Sequence, residues 1–152
     1  MNVSITNAKQ DRPITPDGQP VTAEYVVARL EEAGSTLLAL PNGGYSPRLR
    51  TSVLEIVRTA QESYGWSEGR IRPAVPSSAM ISRMDEALGW ITLIPAANYV
   101  LRRIVHARSL VDPITDRYLF PWRRLASAIG ADHKAVQRWH AQAINIIVAA
   151  LR

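Results

Sequence analysis

Histidines and adjacent carboxylates are the residues of this sequence whose types suit catalysis or metal binding. The three histidines are His106, His133 and His140, and the last two lie seven residues apart. Such a pair is separated by two helical turns, whereas a chelating pair on one helix lies four residues apart. Asp85 and Glu86 are neighbours, and adjacent helical side chains point in different directions. We therefore expect no metal and no acid–base pair, and we expect Asp85 and Glu86 to be solvated.

Nucleophiles and phosphate-binding loops are not indicated either. The chain contains no cysteine, which excludes disulfides, thiolate metal ligands and a cysteine nucleophile. Asn42-Gly43-Gly44 is not followed by the Lys-Ser/Thr pair of a phosphate-binding loop. No combination of nucleophile, base and acid is visible in the sequence. These observations predict a protein that is not an enzyme, with no catalytic residues, no cofactor and no small-molecule substrate.

Polar and basic residues near the carboxyl end indicate a different chemistry. Gln and Arg form paired hydrogen bonds with adenine and guanine, and Gln137 and Arg138 are adjacent in the sequence. Arg123 and Arg124 lie shortly before them, where they are placed to contact phosphates. Double-stranded DNA is therefore the predicted partner. The residues predicted to face DNA are Trp122, Arg123, Arg124, Asp132, His133, Lys134, Gln137, Arg138 and Ala141.

A helix-turn-helix is the element that would position these residues. The first helix is predicted from about Pro121 to Ile129, Gly130 provides the turn, and Asp132 caps the second helix. In this unit the second helix fits the major groove. The alternative is a helical corner of a bundle with a solvated basic face. The residues predicted to pack inward are Leu125, Ala126, Ile129, Val136 and Trp139.

The remaining sequence predicts an all-α bundle of about six helices, since no segment alternates with period two. One helix follows Thr22, and Gly34 is expected to weaken it or end it early. A second helix is predicted over 49–64, and a third begins after Ser77 or Ser78. Pro95 is expected in the first turn of a fourth helix. The apolar residues predicted to face inward from the third helix are Met80, Ile81, Met84, Leu88 and Ile91.

The sequence divides into three predicted regions: an arm over 1–21, a helical region over 22–75, and a helix-turn-helix domain over 76–152. Charge is unevenly spread along them, because the net charge is −2 over 1–40, +1 over 41–100 and +6 over 101–152. Sixteen of the eighteen basic residues are arginine. No apolar run reaches the length of a membrane span and no signal peptide is visible. We therefore expect a cytoplasmic location without membrane contact.

Five segments of the sequence form a family-like pattern: Gly65-Trp66, Arg70–Pro73, Pro76–Trp90, Val105–Arg108 and Pro121–Trp139. In these segments the chain resembles an uncharacterised family of alphaproteobacterial, prophage and phage proteins, over residues 41–152. The resemblance implies a DNA-binding domain. The sequence departs from the family pattern at 109–120, where the connection is longer, and at Ala131–Lys134, where the family has a Ser-Arg-Thr-like start to the helix.

Three functions are compatible with this sequence. The favoured one is a phage-related transcriptional regulator, a homodimer or higher oligomer. The second is a small terminase-like subunit that packages phage DNA as a ring, although such subunits usually place the DNA-binding unit first. The third is a protein-interaction adaptor or inhibitor with the same fold. The segment 143–151 is apolar on most sides, so it packs either on the 77–110 helices or in a dimer seam.

Overall fold

The computed structural model of the chain describes residues 15, 18, 20–41 and 72–152. Two short 3-10 turns, Ile91–Leu93 and Ala96–Asn98, connect the second and third helices of this part of the chain. The five α-helices within it are α1 (Ala23–Ala39), α2 (Ser78–Trp90), α3 (Tyr99–Ser109), α4 (Trp122–Ile129) and α5 (His133–Leu151).

The all-α prediction is confirmed, since the described residues form helices and isolated bridges but no strand. The helix predicted over 49–64 lies outside the described residues, as does most of the predicted arm. The division into three regions stays a prediction. No helix within the described ranges is long and apolar enough to cross a membrane.

Helix α1 begins as predicted, because the Thr22 hydroxyl accepts a hydrogen bond from the Tyr25 N–H at 3.2 Å. Gly34 does not end the helix early, since α1 continues to Ala39. A Cβ at Gly34 would overlap the backbone carbonyl of Ser109 at the end of α3. Gly34 therefore allows two helix backbones to approach each other, a role that local helix propensity does not reveal.

The main hydrophobic core brings together residues far apart in the sequence. Helix α1 contributes Val26, Leu30 and Leu37, while α2 contributes Met84 and other apolar residues. The apolar end of α5 packs into the same core, and its buried residues there are Ala143, Ile144, Ile147 and Val148. This packing places that end within its own chain, in contact with α1 and the 3-10 turn at Ile91–Leu93.

Two expectations for α2 are corrected by the packing. Its cap is as predicted, since the Ser77 hydroxyl accepts from the Met80 N–H at 3.2 Å. The Met80 side chain, however, is exposed rather than inward. Glu86 is also not simply solvated, because its Oε2 accepts a hydrogen bond from Arg29 at 3.0 Å. Both residues depend on where α1 lies, which the sequence of α2 does not specify.

An antiparallel bridge between Val111 and Tyr118 closes the connection between α3 and α4. Within it, Asp112 Oδ1 accepts hydrogen bonds from the Ile114 and Thr115 N–H groups at 2.8 and 3.3 Å. The structure shows a compact turn here, with a buried Asp112. It returns the chain to the end of α3, where α4 begins.

Candidate nucleic-acid interface

The turn between α4 and α5 is built on Gly130. This residue has φ 79° and ψ 33°, the left-handed conformation predicted for it. The N–H groups of Gly130 and Ala131 both donate to the Ala126 carbonyl, at 2.8 and 3.0 Å. Asp132 then caps α5, as predicted, and its Oδ2 accepts from the Lys134 N–H at 3.1 Å. These bonds define the end of one helix and the start of the next.

A second hydrophobic cluster holds α4 and α5 against α3. Its buried members are Ile104, Ala107, Leu125, Ala126 and Val136. The inward positions predicted from sequence are thereby confirmed, with Leu125, Ala126 and Val136 buried and Ile129 and Trp139 partly buried against the same cluster. The burial of these residues determines which side of α5 faces solvent.

The first two turns of α5 present the predicted outward residues to solvent. Lys134, Gln137, Arg138 and Ala141 are exposed, and His133 is half-buried. Asp132 is exposed, and its Oδ1 lies 3.5 Å from His133 Nδ1. Within the described ranges, the side chains of Lys134, Gln137 and Arg138 have no hydrogen-bond or ion-pair partner.

The predicted residues of α4 have three different environments. Arg123 is exposed and has no polar partner in the described part of the chain. Arg124 is exposed, but its guanidinium donates to the Leu119 carbonyl at 3.2 Å and lies 5.1 Å from the Phe120 ring centroid. Trp122 is half-buried and packs against the second cluster. Among these three, Arg123 is the side chain most available to an external ligand.

An arginine that sequence reasoning did not select organises the start of α4. The Arg108 guanidinium carbon lies 3.4 Å from the Tyr118 ring centroid and 4.1 Å from that of Trp122. Arg108 also donates to the Phe120 carbonyl at 3.3 Å, and Tyr118 donates to Glu31 at 2.5 Å. Arg108 therefore links α1, the connection before α4 and α4 itself. The aromatic rings that Arg108 contacts are distant from it in the sequence, so no local sequence pattern indicates these contacts.

Two histidines are held neutral by their surroundings. Burial, with a smaller effect of Arg108, lowers the pKa of His140 to about 4, and its ring lies edge-on to Trp122 with centroids 5.2 Å apart. Burial, with a smaller effect of Arg102, lowers the pKa of His106 to about 4. Both are therefore uncharged near pH 7. The positive charge of this region comes from its arginines and Lys134.

The described residues contain no group of three or more His, Cys, Asp or Glu side chains placed to hold a metal ion. A small cleft between α1, α3 and α5, beside Glu31, Arg108 and His140, has room for about one water molecule. The exposed basic residues of α4 and α5 are Arg123, Arg124, Lys134 and Arg138.

Residues 39–147 match a family described as a domain of unknown function, DUF6362. Because the match spans well over half of the chain, the chain belongs to this family. The matched segment includes α2, α3, α4 and most of α5. No curated protein and no solved structure matches the chain. The resemblance to an uncharacterised family is thus confirmed, while its helix-turn-helix and its bacterial and phage membership stay predictions.

Proposed function

We propose that this protein binds double-stranded DNA through a helix-turn-helix formed by α4 and α5, and that it acts as a transcriptional regulator. The supporting observation is the division of the first two turns of α5 into two sides. Val136 and Trp139 pack inward, while Lys134, Gln137 and Arg138 are exposed without partners in the described residues. A helix held this way can enter a major groove with its polar side first.

Local electrostatics support an external anion at this surface. Lys134 lies in the first turn of α5, where the helix dipole disfavours a cation by about 0.3–1 kcal/mol. Lys134 and Arg138 are also like charges four residues apart, which costs about 0.2–0.5 kcal/mol. Neither residue has a carboxylate partner among the described residues to offset these costs. Phosphate groups would offset both.

Different residues have different roles in this proposal. Gln137 and Arg138 contact base edges, because their side chains form paired hydrogen bonds with adenine and guanine. Arg123 and Lys134 contact phosphates, which raises affinity without selecting sequence. The homodimer also stays a proposal, with half-sites about 34 Å apart. A dimer would use another surface than the end of α5, whose apolar residues are buried in the chain's own core.

Random-site selection on the purified protein, followed by binding measurements on the selected duplex and on a scrambled one, tests the proposal. Gln137→Ala or Arg138→Ala is expected to weaken binding to the selected site by about 1–3 kcal/mol and to relax its sequence preference. The matched control is Arg152→Ala, which removes an exposed arginine just after the end of α5. Arg152 lies about 21 Å from Arg138 along the helix direction. This control should bind like the wild type.

Other results would contradict this assignment. An equal loss on both duplexes for Gln137→Ala and Arg138→Ala would exclude base recognition. No retention of DNA at low salt would favour the protein-interaction module instead. The mass in solution separates the remaining alternative. A closed ring of about eight to twelve copies would favour DNA packaging over regulation.

A further inference from the structure

We propose that Tyr99 and Arg103 form a second contact with DNA, on the phosphate backbone beside the groove that α5 would occupy. This inference rests on the proposed DNA binding and extends it to α3, a helix outside the predicted helix-turn-helix. The two residues lie four positions apart and therefore on the same side of α3.

The packing of α3 shows what lies beside the side of the helix that carries Tyr99 and Arg103. Successive residues of a helix are rotated by roughly 100°. Moving round α3 from Tyr99 and Arg103, the next pair is Val100 and Ile104, which pack into the second cluster beneath α4 and the start of α5. One further step brings Leu101 and Val105, which pack into the main core.

Helix α5 crosses α3 between these two sides. Its first half contributes Val136 and Trp139 to the second cluster, and its second half contributes Ile144 and Ile147 to the main core. Tyr99 and Arg103 lie on the far side of the second cluster from the main core. They lie next to Val100 and Ile104 on α3, and so beside the cluster that α3 shares with α4 and the first turns of α5.

Both side chains are available to a ligand. Tyr99 is 62% exposed and is the one exposed aromatic residue among residues 20–41 and 72–152. Arg103 is exposed and has no polar partner within the described residues. Its neighbour Arg102 differs, because it donates to the Ile94 and Thr92 carbonyls at 2.7 and 3.0 Å. One arginine thus stabilises the 3-10 turns, and the other is directed to solvent.

Charge complementarity identifies the occupant as phosphate. No Asp or Glu occurs between residues 87 and 111, so Arg103 has no acidic neighbour along this stretch of the sequence. Arg and Tyr are both common donors to phosphate oxygens. An arginine that neutralises one phosphate displaces condensed counterions, so its contribution is measurable as salt dependence. A tyrosine hydroxyl contributes a neutral hydrogen bond and should leave the salt dependence unchanged.

The experiment compares wild type, Arg103→Ala, Arg103→Lys, Tyr99→Phe and the control Arg152→Ala on the selected and scrambled duplexes. Arg103→Ala should reduce the slope of log K against log salt by about 0.9 on both duplexes. Between about 50 and about 200 mM salt, the wild type would then lose about 3.5-fold more affinity than this variant. Arg103→Lys should restore the slope. Tyr99→Phe should weaken binding about two- to tenfold at an unchanged slope.

The outcomes separate this inference from the proposed function. If the wild type binds neither duplex, DNA binding itself is excluded and the inference with it. If the wild type binds but Arg103→Ala has the slope and affinity of Arg152→Ala, the second contact alone is excluded. A change in preference between the two duplexes on Arg103→Ala would also overturn the inference, because a phosphate contact carries no sequence information.

Discussion

Arginines are used in opposite ways on the two sides of this molecule. Between α1 and α2, Arg29 is buried and donates to Tyr25, to the Arg83 carbonyl and to Glu86 at 2.9, 3.2 and 3.0 Å. Arg83 forms two hydrogen bonds with Glu32, at 2.9 and 3.1 Å, which hold the pKa of Glu32 below its usual value. Around α4 and α5, in contrast, Arg123 and Arg138 are exposed and lack partners among the described residues.

This difference shows which arginines the fold pairs internally and which it leaves exposed to solvent. Sequence-distant carboxylates satisfy the arginines of α1 and α2, so those residues stabilise the packing of two helices. Arg123, Lys134 and Arg138 are instead fixed in position by apolar residues on the opposite side of each helix. Substitutions on the first side should therefore reduce stability, whereas those on the second should reduce binding.

The largest expected effect is at Gly34, where α1 meets α3. Gly34→Ala would place a methyl group on the Ser109 carbonyl, and backbone atoms cannot yield as a side chain can. We expect a loss of about 3 kcal/mol or more in the free energy of unfolding, measured by urea denaturation. Gly89→Ala is the control, because this helical glycine has open space around it. This substitution should raise the free energy of unfolding by about 0.5–1 kcal/mol. Similar results for both variants would contradict the close approach of α1 and α3.

A smaller effect is expected at Arg29. Arg29→Met keeps much of the apolar stem but removes three hydrogen bonds and the contact with the Trp90 ring, 5.0 Å away. We expect the free energy of unfolding to fall by about 2 kcal/mol, since the partner Glu86 is half-exposed and regains water. Arg83→Met should cost less than about 1 kcal/mol, because Arg83 and Glu32 are both over a third exposed. Equal losses in thermal or urea unfolding would show that burial does not distinguish the two arginines.

The smallest effect on stability is expected on α5. The double variant Lys134→Ala/Arg138→Ala removes like charges four residues apart and should leave the free energy of unfolding unchanged or raise it by up to about 0.5 kcal/mol. Its binding to the selected duplex should nevertheless be lost. A clear loss of stability would mean that these cations serve the fold, and it would remove the contrast between the two sides of the molecule.

Local patterns in the sequence were sufficient for much of the fold. The hydrophobic spacing and the capping residues Thr22, Ser77 and Asp132 predicted where helices begin. The inward residues of α4 and α5 were also predicted correctly, because Gly130 and the apolar spacing are both short-range signals. The DNA-facing role of the outward residues stays a prediction, since side-chain exposure alone does not identify a ligand.

Long-range contacts explain what the sequence did not predict. The close approach at Gly34 was not predicted, because its partner, Ser109, lies at the end of α3. The exposed Met80 and the paired Glu86 depend on where α1 packs against α2. Arg108 was missed because the rings beside it, Tyr118 and Trp122, are brought together by the turn between α3 and α4.

The sequence by itself determined an all-α chain, the positions of most described helices and the concentration of positive charge in its last third. These features depend on side chains within a few residues of one another, or on composition. Only the tertiary structure decided that the end of α5 lies in the main core and that, among the described residues, some arginines are paired while others are exposed. Those outcomes require groups from distant segments to meet, and no short-range pattern encodes which groups they are.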